Sequence, residues 1–509
     1  MKYNKVLFIG LDAAESSLIE QWISEGILPN MRRLREKALY AHIHTPYNHS
    51  VGLPWPMFYT GTNPGETGAY HYLQWDPETM MSKRLNQLDL PLRPFWRKFG
   101  ENESRAIVID VPLTTSATPF NGIEISGWAT HEQLDPLSSY PENMLSRVVA
   151  DIGPAPAFEE RYGPLTVQEF LQIKAKLIHI THNVTRLAKE LMKTENWDLF
   201  MIVYSATHRG GHQLWNGTNL TNLNHKDENR AIEQSLKQVY AACDRAIGEL
   251  TDSVGDDTTV FICSLHGMGI NHSRSELLPE MTAKILEYET EKRTSQRPKF
   301  LSQIREIIPV TWRHAIKRRL PFRYQDILTS YWRMGGSDWS NIPVISLLSD
   351  YDGYLQINLK GREARGVVEP GEDYEKWLQI FTNGLKSFVD ADSGESIVKA
   401  IHRKEDLGIH GGCIERFPDL IVRWQETGAS KHRLLISPKY GSVSWPIQGR
   451  NPEGRSGNHR QDGFMLALGE RFSHNSDPVT VAILDLAPTI LDIMGMPKFP
   501  EMEGHVFQQ

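Results

Sequence analysis

The chain has 509 residues, 40% of them hydrophobic and 23% charged, with a formal net charge of −7. That composition describes a folded globular protein, excludes a disordered or fibrous one, and gives no overall pull towards a nucleic-acid duplex. Three widely spaced cysteines, Cys243, Cys263 and Cys413, form no CxxC pair or disulfide ladder, no run of about 18 apolar residues offers a membrane span, and the opening apolar run is too short for a signal peptide, so a cytoplasmic location is expected.

In chain order, "KVLFIGLD" reads as a buried parallel strand, and "AAESSLIEQWISEGILPNMRRLRE" as the helix after it, with Leu18, Ile19, Trp22, Ile23 and Ile27 at helical spacing. Further strands are predicted over 105–112, 198–205, 258–264, 354–359, 419–424 and 464–469, with long helices over 166–193 and 227–251. This alternation predicts an α/β fold: a doubly wound, mostly parallel sheet sandwiched by helices. Between 281 and 345 the texture changes. "EKRTSQRPKFLSQIREIIPVTWRHAIKRRLPFRYQ" sets Lys and Arg among Ile, Val, Trp and Phe. A solvated lid or cap is the favoured reading, and contact with a membrane surface through 281–323 is the lesser one. The expected organisation is a core over 1–280, an inserted basic lid or cap over 281–345, and the second part of the core over 346–509. "NLKGREARGVVEPGEDY" (358–374) reads as a Gly-rich hairpin and turn, with a helix from near Tyr374.

Ligands of such sheets collect beyond the carboxyl ends of strands, and Asp12, His208 and His266 all stand just past predicted strands. In "SATHRGGHQLW", the four-residue spacing of His208 and His212 puts both imidazoles on one face of a helix, a metal-ligand pattern of moderate specificity. His459 lies in the Gly-rich "GRSGNHRQDG" before the strand "FMLALG". Singly, each has a bland reading: a helix cap for Asp12, a core or loop imidazole for the others. Together at strand ends they form a candidate site.

Four segments carry a family likeness: "VLFIGLDAAESSLIEQWISEGILPNMRRL", "WPMFYTGTNPGETGAYHY", "CSLHGMG", and "GNHRQDGFMLALGERF" with the C-terminal "ILDLAPTILDIMGMPKFPEMEGHVF". With these the chain resembles the alkaline phosphatase superfamily, most closely the branch of type I phosphodiesterases and nucleotide pyrophosphatases. The resemblance implies an alkaline phosphatase-like fold and two divalent cations, usually zinc, flanking a Ser or Thr nucleophile that attacks phosphorus in line. Carried over by position, Asp12 and His266 map to one metal site, and His208, His212 and His459 to the other.

Two positions depart from the family pattern. Leu265 stands where an Asp precedes the His, and His208 where an Asp precedes His212. The matched set then carries one carboxylate charge, so two cations are poorly neutralised unless Glu15 or another acid contributes. One or two divalent ions, zinc by preference, are expected. Counting from "YTG" places the nucleophile position on Val51, which cannot attack; Ser50, one residue away, is the expected nucleophile and Thr45 the fallback. Arg209 is a weaker candidate for anion contact. The leading function is a metal-dependent hydrolase acting on a small-molecule phosphate ester, with a phosphodiester or nucleotide-like substrate favoured. The alternatives are a phospho-group transferase or sulfuric ester hydrolase on the same fold, and a catalytically degenerate member that binds a metal or anion.

Overall fold

The computed structural model describes residues 5–45, 53–100, 104–116, 118–130, 137–156, 163–221, 226–291, 324, 339–427, 433–445, 451 and 454–507. Its centre is a nine-stranded sheet. In spatial order the strands are Val479–Ala482, Leu39–His44, Gly463–Leu468, Thr258–Ser264, Lys5–Leu11, Leu199–Tyr204, Ala106–Ile109, Gly122–Ser126 and Ser138–Tyr140. The middle of the sheet is parallel: Lys5–Leu11 pairs in parallel with both Leu199–Tyr204 and Thr258–Ser264. Gly463–Leu468 runs antiparallel against Thr258–Ser264, with Phe464 opposite Ser264, so its entry lies beside the exit of its neighbour. That arrangement brings His459 to the same end of the central strands as Asp12 and His266.

Strand alternation divides the core in two. Val6 and Phe8 point into one apolar layer with Trp55, Phe58 and Met465, while Leu7, Ile9 and Leu11 point into the other with Trp22, Leu177 and Val239. Burial on both faces explains why these strands read as unbroken apolar runs. The second layer is closed by two long helices, Val167–Thr194 and Lys226–Thr251. The first opens with a capping box in which Thr166 and Glu169 satisfy each other's backbone N–H.

The single helix expected after the first strand is two, Ser16–Ser24 and Pro29–Arg35. Pro29 bars Leu28 from the helical region, and Leu28 sits at φ −113°, ψ 70°. The strands expected over 354–359 and 419–424 exist, as Gly353–Ile357 and Leu420–Trp424, but they lie in a separate four-stranded antiparallel sheet. Helices Leu278–Thr290 and Glu372–Lys386 cover one face of it, through Met281, Ile285, Leu378 and Phe381. Its other face, with Ile345, Tyr354 and Ile421, joins the core of the large sheet. The hairpin expected in 358–374 is replaced by isolated bridges, Leu359 with Val368 and Lys360 with Glu363, and the next helix starts at Glu372. Within the basic stretch 281–345, the two ends belong to this smaller sheet and its covering helix, while 292–323 and 325–338 lie outside the described residues. Among the described residues, no helix is long and apolar enough to cross a membrane.

Candidate metal centre and active-site cavity

Strand Leu199–Tyr204 runs directly into the short helix Ala206–Leu214, every residue of which is buried. The helix presents His208 and His212 on one side. It fits tightly against the segment carrying His459, because Gly457 has no side chain: a Cβ there would stand 2.1 Å from the Gly211 carbonyl oxygen. Strand Gly457–Arg460 pairs antiparallel with Gly267–Ile270, setting His459 opposite Met268. Three Nε2 atoms thereby converge, with His208 to His459 at 2.8 Å, His208 to His212 at 2.9 Å and His212 to His459 at 3.0 Å.

The other ring nitrogens define what these three atoms offer. His212 Nδ1 lies 3.0 Å from the Gly457 carbonyl oxygen. A carbonyl can only accept, so Nδ1 carries the hydrogen and the neutral ring turns a bare Nε2 inward. His208 Nδ1 lies 2.6 Å from Asp12 Oδ2 and donates in the same way to a carboxylate. Burial alone would raise the Asp12 pKa; the charge and hydrogen bond of His208, the charge of His266 and the hydrogen bond from Trp55 outweigh it and hold the carboxyl far below the ordinary range. Burial, reinforced by the neighbouring imidazoles and Arg455, holds His459 well below the usual imidazole pKa, so its ring is neutral. One proton shared from one Nε2 would still leave the other two nitrogens lone pair to lone pair. A divalent cation satisfies all three, with the outer Nδ1–H groups of His208 and His212 already anchored as those of metal-ligating imidazoles are. Among the described residues, these histidines are the one group of three or more His, Cys, Asp or Glu side chains arranged to hold a metal ion.

Asp12 and His266 adjoin this cluster differently. Asp12 Oδ1 accepts the Trp55 indole N–H at 2.9 Å, and His266 Nε2 stands 4.0 Å from the same oxygen. The His266 ring lies 4.9 Å from that of His459, centroid to centroid, and its buried Nδ1 has no hydrogen-bond partner. Burial lowers the His266 pKa to about 4. Leu265 is buried in the apolar layer. Glu15 is not spare: Oε1 accepts the Ser17 hydroxyl at 2.6 Å, and Oε2 accepts the Met268 backbone N–H at 3.2 Å.

Asp12, His208, His212, His266 and His459 floor a cavity of about 210 Å³. Leu53, Met57, Val111 and Leu113 give it apolar lining, and Tyr70, Tyr354, Asp350, Arg455 and Arg460 line it as well. Thr45 lines it too, its hydroxyl accepting from Gln461 Nε2 at 2.6 Å. Ser50 lies outside the described residues. Arg209 is buried on the histidine helix and donates towards the Thr130 carbonyl at 3.5 Å. Trp55, Gln461 and Arg455 are site residues that sequence reasoning passed over. Arg455 and Gln461 stood in the quoted "GRSGNHRQDG", where basic and amide side chains flanking a candidate ligand were the available signal.

A mostly parallel α/β sheet with this cluster beyond its strand ends has the alkaline phosphatase-like fold. Phosphonoacetate hydrolase from Sinorhizobium meliloti 1021, solved with phosphonoformate, superimposes with a TM-score of 0.53 at 11% identity, covering 97% of this chain and 96% of that one. Human ectonucleotide pyrophosphatase / phosphodiesterase 5 superimposes with a TM-score of 0.48 at 12% identity, covering 98% and 97%. No curated protein matches the sequence. The type I phosphodiesterase / nucleotide pyrophosphatase family matches residues 6–432, and the chain belongs to that family. It is an enzyme of the phosphodiesterase and pyrophosphatase type, a hydrolase of phosphoesters, in a family dependent on divalent metal.

Proposed function

We propose that the protein hydrolyses a small-molecule phosphodiester or nucleotide-like ester with a divalent metal, zinc by preference, held by His208, His212 and His459. The observation that carries this reading is the convergence of three Nε2 atoms within 3.0 Å on the cavity floor. An ion bound there supplies Lewis acidity towards a phosphoryl oxygen. The chain does the rest. Asp12 and the Gly457 carbonyl hold two of the imidazoles in the ligating tautomer. Arg455, buried and close enough to His459 for its charge to depress that pKa, takes a non-bridging oxygen of the ester. The apolar lining of Leu53, Met57, Val111 and Leu113 receives the leaving alcohol and excludes water.

Ser50 is the proposed nucleophile: its oxygen attacks phosphorus, the alcohol departs, and water then cleaves the phosphoserine ester. Thr45 supports a second reading, since its buried hydroxyl lines the cavity and is already oriented by Gln461. Chelator-treated protein should turn over neither bis(p-nitrophenyl) phosphate nor nucleotide esters, and added Zn²⁺ or Mn²⁺ should restore activity. Turnover that survives complete metal removal would refute the metal-dependent reading. A product carrying phosphate on an added alcohol acceptor would favour the transferase.

A further inference from the structure

We propose that the cavity is a one-metal centre, and that Trp55 and Asp12 make it so: Asp12 is a positioning carboxylate for His208, not a ligand of a second ion. This rests on the three-histidine reading above and departs from the two-cation arrangement that the family resemblance implies. A second ion beside the first would draw on Asp12, His266 and the residue at 265. Leu265 brings no ligand atom and is packed into the apolar layer. Glu15 has both oxygens engaged, one capping the helix that starts at Ser16 and the other holding the Met268 N–H.

Asp12 is committed on both sides. Oδ2 receives His208 Nδ1 at 2.6 Å, and Oδ1 receives Trp55 Nε1 at 2.9 Å. An indole offers a donor and no lone pair, so Trp55 cannot be a ligand. Its N–H occupies one lone pair of Oδ1 and sets a positive dipole end beside that oxygen, which disfavours a cation there. Nor is Trp55 free to swing aside. It is buried in the core and lies against the first strand, where Gly10 makes its room: a Cβ at residue 10 would stand 3.0 Å from the far edge of the indole. Among the described residues at the family-matched positions, His266 alone then remains, one nitrogen ligand where at least three are normally required. Charge points the same way. With Asp12 as the only carboxylate among the five matched residues, one dication leaves a net charge that an anionic substrate can meet, whereas two would repel each other in a buried pocket.

The test is metal stoichiometry, read without any substrate. Chelator-stripped protein is titrated with Zn²⁺ against a chromophoric competitor, and the metal content of the reloaded protein is measured by elemental analysis. One ion per chain is expected; two tightly bound ions would overturn the proposal. Asp12→Asn is expected to keep that one ion but hold it about 10- to 100-fold more weakly, the usual cost of losing an outer-shell partner. Loss of a whole equivalent in this variant, with the remaining ion held as tightly as before, would identify Asp12 as a ligand and refute the positioning role. Trp55→Phe keeps the ring against Gly10 but removes the N–H. It is expected to weaken the single ion about threefold to tenfold through Asp12, and unchanged affinity would remove Trp55 from the argument. A chain that binds one ion and cleaves no ester sinks the proposed function alone; one that cleaves esters with two ions sinks only this inference.

Discussion

The two sides of the cavity floor hold similar residue types and differ in what those residues can do. On the side of His208, His212 and His459, two rings have their outer nitrogens hydrogen-bonded and their inner ones aimed at a common point. On the side of Asp12 and His266, the carboxylate is divided between an imidazole and an indole, and the His266 ring has an outer nitrogen with no partner. Capacity to bind a cation follows from where each side chain's other atoms are spent, not from a count of histidines and carboxylates.

The largest test of this contrast removes ligands from each side in turn. His212→Ala with His459→Ala is expected to abolish ion binding, and with it metal-dependent turnover, because a single histidine remains. His266→Ala is expected to leave the ion bound with an affinity within about tenfold of wild type, since a ring that ligates nothing contributes only packing. Elemental analysis of the purified variants decides the matter: an ion lost from His266→Ala and retained in the double variant would reverse the assignment of the two sides.

The nucleophile comes next in size. Ser50→Ala is expected to reduce kcat on the order of a thousandfold, about 4 kcal/mol of barrier, with metal content unchanged. Thr45→Ala is expected to cost far less, through the lost contact with Gln461. If steady-state kinetics show the reverse order, the hydroxyl that the fold sets on the cavity wall is the one that attacks.

Much of the scaffold was legible because parallel strands buried on both faces have little sequence freedom. "TTVFICS" is a strand residue for residue, and "DLFMIVYS" and "FMLALG" shift by one at their ends. Sheet membership was not legible. Gly353–Ile357 and Leu420–Trp424 have the same apolar texture as the central strands, and only tertiary packing, with Tyr354 and Ile421 turned towards the large core, assigns them to the smaller sheet. In the site, helical spacing joined His208 to His212, position before a strand brought in His459, and resemblance grouped the three as one metal site. The Trp55 contact with Asp12 had no signal, because an indole looks like core in any apolar run and its one polar atom finds a partner only after the helix Pro54–Thr60 docks on the first strand.

The smallest expected effect concerns His266 and acid. Burial depresses its pKa from 6.5 to about 4, opposed by the charge of Asp12 and reinforced by His208. Between those values the unfolded chain binds a proton at this residue that the folded chain does not, so its contribution to stability is lost as pH falls from about 6.5 to about 4. The whole shift corresponds to about 3 kcal/mol at most. Asp110 and Asp352 act in the opposite sense: burial raises each to about 7, so the folded protein keeps protons that the unfolded one releases, and their contribution declines as pH rises from about 4 to about 7. A raw stability curve therefore mixes the two trends. The difference between wild type and His266→Asn cancels Asp110 and Asp352, which do not couple to the ring, and reports the imidazole with its coupling to Asp12 and His459. In urea unfolding of chelator-treated protein, the variant is expected to gain on wild type by about 1–3 kcal/mol as pH falls from about 7 to about 4.5. A difference that stays constant over that interval would mean that the ring takes up a proton as readily in the folded protein as in the unfolded one. The neutral, buried imidazole on the Asp12 side of the floor would then be wrong, and the contrast between the two sides would rest on the three-histidine cluster alone.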